Sequence, residues 1–135
     1  MSCSFSMGKN SAMANILVID DDEILNAMIV QLLSDAGFTV EGARDGDRGL
    51  ELFETKPFDL IITDIVMPEK EGLETIFAIR KKSKTIPIIA ISGGGKLGPE
   101  QYLHLARQCG ATYAFQKPFN NGEFVDAVRK SLSPA

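Results

Sequence analysis

An unbroken apolar run leads into a single carboxylate in the segment Phe58-Asp59-Leu60-Ile61-Ile62-Thr63-Asp64-Ile65-Val66-Met67-Pro68. The run from Leu60 to Ile62 is too short for a helix and too apolar for a strand with one face in water. It therefore indicates a central strand of a parallel sheet that is covered on both faces. Pro68 lacks a backbone donor and disfavours helical angles at the residue before it, so the strand ends close to Asp64. Open parallel sheets bind ligands just beyond the carboxyl ends of their strands, which is where Asp64 lies.

Short apolar runs alternate with helical patterns along the rest of the chain. Strands are predicted at 16–19, 39–41, 60–64, 87–91 and 112–116; helices are predicted between Asp22 and Gly37 and at 47–55, 71–82, 99–109 and 121–132. This alternation predicts a doubly wound, flavodoxin-like α/β fold with five helices and a five-stranded parallel sheet of order 2-1-3-4-5. In that order a crevice opens between the first and third strands.

Helical periodicity also predicts which side chains face the core. The residues assigned to the interior are Leu50 and Phe53 in the second helix, Leu73, Ile76, Phe77 and Ile79 in the third, and Phe124, Val125 and Val128 in the last. Residues 42–46 have the composition of a turn, and Arg80-Lys81-Lys82 is interpreted as a solvated helix end that complements the helix dipole.

Length and composition favour one domain. The chain has 135 residues, of which 44% are hydrophobic, enough for one sizeable core. Residues 1–14 are rich in serine and small residues and lack both apolar periodicity and a signal-peptide core, so we predict a disordered extension followed by a domain at 15–133.

Charge and cysteine content exclude several classes of protein. The formal net charge is −4, and the basic residues are dispersed, so no nucleic-acid partner is expected. No apolar stretch approaches the ~20 residues that cross a bilayer, so no membrane partner is expected either. Cys3 and Cys109 have neither metal-ligand nor secreted-scaffold spacing, and we expect a cytoplasmic, reduced setting.

Polar groups follow four of the predicted strands at the points where these strands end: Asp20 with Asp21, Asp64, Ser92 and Lys117. Carboxylates that converge repel one another, and a divalent ion held by oxygen ligands resolves the repulsion, so we predict Mg²⁺ at this place. An ammonium, a hydroxyl and Mg²⁺ together suit a phosphoryl group. Asp64 stands alone on the central strand, and its carboxylate is the natural nucleophile for forming an aspartyl phosphate. The simpler alternative, that each Asp is only a turn or cap residue, would have to hold for all three aspartates at once.

These residues resemble the receiver domain of two-component response regulators. The resemblance rests on Val18-Ile19-Asp20-Asp21-Asp22, Thr63-Asp64-Ile65-Val66-Met67-Pro68 followed by Gly72, Ile91-Ser92 and Lys117-Pro118-Phe119, and it covers nearly all of 15–132. It implies that Asp64 is the phosphoacceptor, and that Asp20, Asp21, Asp64 and the Val66 carbonyl bind Mg²⁺. It also implies that the Ser92 hydroxyl follows the phosphoryl group and that Lys117 is its charge partner.

Two features depart from the family's pattern. Ala114 occupies the position, three before Lys117, where the family usually has an aromatic residue that swings inward on activation, while Tyr113 and Phe115 are expected on the opposite face. A glycine-rich loop at 93–98 follows Ser92, and we hypothesise that this loop takes over part of the switching.

The leading hypothesis is a single-domain, chemotaxis-type response regulator. Its phosphodonor would be the phosphohistidine of a sensor histidine kinase or a histidine phosphotransfer protein, and its output would go through a downstream protein target. It would not be an enzyme beyond its own phosphorylation and dephosphorylation. The alternative is a small phosphatase or phosphotransferase with an Asp nucleophile, although the position two after Asp64 is Val66 rather than a second Asp. A flavodoxin-like cofactor site is disfavoured by the acidic crevice, and His104 is interpreted as a solvated surface residue.

Overall fold

The computed structural model describes residues 14–65, 72–92, 104, 107–108, 110–117 and 119–132, apart from the side chains of residues 72, 73 and 92. The predicted extension at 1–14, the Val66 carbonyl and the loop at 93–98 fall almost entirely outside these ranges. Within them, no helix combines the length and the apolar character needed to cross a membrane.

Five parallel strands form one sheet in the predicted order. The strands are β1 (Asn15–Ile19), β2 (Thr39–Ala43), β3 (Leu60–Asp64), β4 (Ile88–Ser92) and β5 (Tyr113–Gln116). They are arranged β2-β1-β3-β4-β5, so the sequence-based prediction of the sheet is confirmed. The third strand lies in the centre, and each of its five residues is buried, as its unbroken apolar run predicts.

Side chains of the central strands alternate between two apolar clusters, one on each face of the sheet. Ile16 and Val18 of β1 enter the cluster that includes Phe124, whereas Leu17 and Ile19 enter the cluster that includes Ile76. Both faces are therefore covered by helices.

Four helices occur within the described residues: α1 (Glu23–Asp35), α2 (Gly46–Thr55), α3 (Gly72–Lys82) and α4 (Asn121–Leu132). Five were predicted. The remaining one, at 99–109, falls mainly outside the described residues, of which 104, 107 and 108 are helical. Asp22 caps α1, and the chain leaves that helix through Gly37, whose φ of 105° favours glycine.

Some predicted details were wrong. Gly42 and Ala43 belong to β2 rather than to a turn, because β2 stays paired with β1 up to the pair Ile19 and Ala43. In α2, Leu52 is the fully buried side chain, while Leu50 and Phe53 are only partly buried against the core. Phe77 of α3 was predicted to face inward but is 53% exposed. The predicted burial of Ile76, Ile79, Phe124, Val125 and Val128 is confirmed.

Arg80 is not part of a solvated helix end. Its guanidinium donates to the carbonyl oxygen of Gly110 at 2.7 and 3.2 Å, to that of Ile86 at 2.6 Å and to that of Ser83 at 3.3 Å. Burial lowers the pKa of Arg80 below its ordinary value. This side chain therefore ties the end of α3 to the chain that enters β4 and to the turn before β5.

Candidate functional site

Asp20 and Asp64 meet at the carboxyl edge of the sheet. Ile19 pairs with Thr63 across β1 and β3, so the aspartates that follow these two residues are brought side by side. Asp20 is 1% exposed and Asp64 is 4% exposed. Two carboxylates buried at one place require compensation by positive charge or by hydrogen bonds.

Lys117 supplies part of that compensation from the end of β5. Its Nζ donates to Asp64 Oδ2 at 2.9 Å and lies 3.4 Å from Asp20 Oδ2. Burial lowers the pKa of Lys117, but the hydrogen bond and charge of Asp64 and the charge of Asp20 outweigh this effect and raise it above the ordinary 10.5. Lys117 therefore stays protonated and holds a fixed positive charge between the two acids.

Asp20 is held in an environment that disfavours its charge. Burial is the largest cause, and together with the charge of Asp64 it raises the pKa of Asp20 to about 6, against the opposing effects of the Asp22 amide and Lys117. The Asp22 amide donates to Asp20 Oδ1 at 2.9 Å. Asp20 Oδ2 has no hydrogen-bond partner among the described residues, and its contact with Lys117 is a longer ion pair.

Asp21 completes a group of three carboxylates. It is exposed, and carboxylate oxygens of Asp20, Asp21 and Asp64 all lie within 4.8 Å of one another. Oxygen ligands grouped in this way suit a hard divalent cation that retains several waters, such as Mg²⁺. The buried Asp20 Oδ2, which lacks a hydrogen bond, fits that interpretation because a cation would satisfy it.

The other predicted site residues are placed only in part. Ser92 is the last residue of β4 and pairs with Gln116, so its backbone lies one residue from Lys117 across the sheet edge. Its side chain, and Val66, lie outside the described residues. His104 is exposed, as predicted.

The alternation predicted around Ala114 is confirmed. Ala114 packs against one apolar cluster, whereas Tyr113 and Phe115 pack against the cluster on the other face. No aromatic side chain from β5 therefore occupies the face on which the family's switching residue is expected.

Sequence analysis missed Asn26, a half-buried residue one turn into α1. Its side-chain amide donates to the carbonyl oxygen of Asp20 at 3.0 Å and to that of Ala43 at 2.9 Å. The only available signal was an asparagine one turn after the helix cap, on the same helical face as buried residues, where an amide needs a partner. Periodicity cannot say which carbonyls it reaches.

Comparison with known sequences identifies the family. The sequence profile described as "Response regulator receiver domain" matches residues 16–129. The chain belongs to the response regulator receiver domain family. Receiver domains are signalling modules of two-component systems, so the resemblance noted in the sequence is confirmed.

Similar proteins include transcriptional regulators. "Transcriptional regulatory protein CpxR" of Escherichia coli (strain K12) is 36% identical over 120 residues, which cover 89% of this chain and 50% of that protein. "Transcriptional regulatory protein DltR" of Streptococcus agalactiae serotype III (strain NEM316) is 30% identical over 123 residues, with 84% and 50% covered. The receiver domain thus spans about half the length of these curated relatives.

Two solved structures share the fold over nearly their whole length. A response regulator receiver domain protein from Clostridium thermocellum superposes with a TM-score of 0.81 at 29% identity, covering 88% of this chain and 94% of that one. The chemotaxis protein CheY4 of Vibrio cholerae superposes with a TM-score of 0.79 at 34% identity, covering 89% and 99%. The doubly wound sheet is therefore the fold of known receiver domains.

Proposed function

We propose that this receiver domain accepts a phosphoryl group on Asp64 from a phosphohistidine of a sensor histidine kinase or a histidine phosphotransfer protein, in a Mg²⁺-dependent reaction. The observation that supports this most is the geometry around Asp64. One of its carboxylate oxygens is 2.9 Å from the Lys117 ammonium, and the carboxylates of Asp20 and Asp21 lie within 4.8 Å. A nucleophile, a fixed positive charge and a set of metal ligands are thus grouped at one edge of the sheet, at the ends of three strands.

In the proposed reaction an Asp64 oxygen attacks the phosphorus and forms an acyl phosphate. The phosphorus–nitrogen bond of the donor breaks, and its electron pair returns to the imidazole. The Lys117 ammonium neutralises part of the charge on the transferring group, and the Ser92 hydroxyl is proposed to donate to one of its oxygens.

We assign the metal to Asp20, Asp21, Asp64 and the carbonyl of Val66. When bound, Mg²⁺ supplies positive charge that neutralises phosphoryl oxygens and screens the carboxylates from one another. The carboxylates of Asp20 and Asp21 hold this charge at the edge of the sheet, while Asp64 keeps an oxygen for the incoming phosphorus.

The proposed output is a change in affinity for a downstream protein target or transfer of the phosphoryl group along a relay. The sequence-based interpretation as a single-domain, chemotaxis-type regulator is supported by the high coverage of CheY4. It is opposed by curated relatives that are twice as long and are named transcriptional regulators. The expectation that nucleic acid plays no part in the output is therefore not kept. We propose a domain at 15–133 that works in the cytoplasm, as response regulators do.

Mass spectrometry with acetyl phosphate and Mg²⁺ tests the proposal. The wild-type protein should gain one phosphate that is later lost by hydrolysis, and it should gain none when Mg²⁺ is chelated beforehand. Asp64→Asn should gain none under either condition. Asp59→Asn is the matched control, because Asp59 lies just before β3 at the opposite end of that strand and accepts from the Asn15 amide at 2.8 Å. Its variant should be phosphorylated like the wild type.

The same experiment separates the phosphatase alternative. Stoichiometric phosphorylation followed by slow loss supports the phosphoacceptor role. Sustained release of phosphate from small phosphoesters over many turnovers, abolished by Asp64→Asn, would instead support an enzyme.

A further inference from the structure

Asn26 closes the turn that carries two of the three site carboxylates. The two hydrogens of its amide go to the carbonyl oxygens of Asp20 and Ala43, at 3.0 and 2.9 Å. The Ala43 oxygen also accepts from the Asp20 amide at 3.0 Å. One side chain of α1 thus joins the carboxyl ends of β1 and β2 at the point where the acidic turn begins.

The carbonyl of Asp20 belongs to the peptide plane that links Asp20 to Asp21. Holding that oxygen fixes the direction in which the chain enters Asp21, whose carboxylate is otherwise exposed. The other side of the turn is held by the Asp22 amide, which donates to Asp20 Oδ1 at 2.9 Å. The turn is therefore restrained at both ends, and the orientation of Asp21 depends on these two restraints.

Gly42 makes room for this arrangement. A Cβ atom built at Gly42 would lie 2.4 Å from Asn26 Oδ1 and 3.3 Å from Asn26 Cγ. Both distances are shorter than ordinary contacts, so any side chain at 42 would push the amide away from its two carbonyls. The backbone at 42 does not require glycine for its φ, since the glycines with positive φ are at 37 and 110 among the described residues. The absence of a side chain at 42 therefore serves the neighbouring amide.

We propose that Asn26 is a positioning residue for the acidic site, seated on Gly42, and that it sets the affinity of Asp20 and Asp21 for a divalent cation. The proposal rests on the proposed function only in assigning Mg²⁺ to these carboxylates. Mutation of a group that hydrogen-bonds to metal ligands and orients them commonly weakens metal binding about tenfold to a hundredfold.

Isothermal titration calorimetry, in which Mg²⁺ is added to the wild type and to three variants, tests the proposal. Asn26→Ala removes the amide, and Gly42→Ala displaces it without changing its chemistry. Both variants should bind Mg²⁺ about tenfold more weakly. Gln31→Ala is the control, because Gln31 carries an amide on the exposed face of the same helix, bonded to Asp35 at 2.8 Å. It should bind like the wild type.

A second readout separates positioning from general stabilisation. Saturating Mg²⁺ should restore the phosphorylation rate of both variants with acetyl phosphate close to that of the wild type, while the rate at low Mg²⁺ stays reduced. A loss of melting temperature in Asn26→Ala and Gly42→Ala with unchanged Mg²⁺ affinity would overturn the positioning role. Failure of the wild type itself to bind Mg²⁺ would instead refute the metal assignment on which the proposal rests.

Discussion

Ala114 of β5 pairs with Ala90 of β4, on the face of the sheet opposite to the ring of Phe115. Phe115 packs edge-on against Phe124 of α4, with ring centroids 5.4 Å apart. Ala114 thus occupies the position at which the resemblance to receiver domains predicts a mobile aromatic ring. If Asp64 is phosphorylated as proposed, the change of state reaches the surface without an aromatic side chain at position 114.

We predict that the aromatic side chains of β5 keep their packing on activation. In the beryllofluoride-bound protein, nuclear Overhauser contacts between the rings of Phe115 and Phe124 should persist, because Phe124 is fully buried and the partly buried Phe115 packs against the same apolar cluster. Loss of these contacts, with a new rotamer at Phe115, would show that this ring has taken over the switching role.

Removing the charge of Lys117 should affect both stability and reactivity. Lys117→Ala leaves two buried carboxylates without their ammonium, so we expect the Mg²⁺-free protein to lose about 1–3 kcal/mol in the free energy of unfolding. This loss is smaller than the roughly 3–5 kcal/mol expected for a fully buried ion pair, because the lysine side chain is 23% exposed and water screens its charge. Phosphorylation should slow about a hundredfold or more, the usual effect of removing one preorganised electrostatic contact to the reacting group.

Added Mg²⁺ should return part of the stability of Lys117→Ala, because a divalent ion replaces the missing positive charge. Urea unfolding with and without Mg²⁺ measures this difference. An identical loss of stability under both conditions would contradict the assignment of the cation to this group of carboxylates.

Asp20 should make the Mg²⁺-free protein less stable as the pH rises. Its folded pKa is about 6 and its ordinary value is 3.8, so between these values the folded state binds the extra proton. The contribution of Asp20 to the free energy of unfolding is fully present below about pH 4. It declines as the pH rises from about 4 to 6 and is lost above about 6. The difference amounts to about 3 kcal/mol, since one pKa unit corresponds to about 1.4 kcal/mol.

Asp20→Asn should therefore unfold at higher urea than the wild type at pH 7 in a chelator, and its stability should lack this decline. If the free energy of unfolding declined with pH to the same extent in both proteins, the raised pKa would belong to a residue other than Asp20. Excess Mg²⁺ should flatten the wild-type profile, because the bound ion favours the charged carboxylate.

Arg80 should contribute to stability through hydrogen bonds rather than through charge. Arg80→Ala leaves the carbonyls of Gly110 and Ile86 without their donor, and we expect a loss of about 2 kcal/mol in the free energy of unfolding. Lys81→Ala, an exposed neighbour on the same helix, should change stability by less than about 0.5 kcal/mol. If Arg80→Ala and Lys81→Ala lowered the free energy of unfolding by the same small amount in denaturant, the hydrogen bonds of Arg80 would contribute no more to stability than a solvated side chain does.

The sheet and the site carboxylates could be predicted because they depend on short-range patterns. An apolar run as short as Leu60–Ile62, with Pro57 before it and Pro68 after it, favours a buried strand. Parallel strands bring the residues at their carboxyl ends together, as with Asp20, Asp64 and Lys117. The hydrogen bonds of Asn26 and Arg80 depend instead on carbonyl groups that lie 17 and 30 residues away along the chain, respectively. Their formation depends on how closely two distant segments pack. Periodicity assigns a helix face but not its neighbours, which is why Phe77 was placed inside.

The central claim is that Asp64 accepts the phosphoryl group. The protein is first treated with acetyl phosphate and Mg²⁺, and borohydride then reduces the acyl phosphate and leaves a stable label on the modified residue. Tandem mass spectrometry locates this label directly. The label should lie on Asp64 in the wild type and in Asp59→Asn, and it should be absent from Asp64→Asn. Labelling at any other aspartate in the wild type, or one phosphate gained and retained by Asp64→Asn, would contradict the assignment.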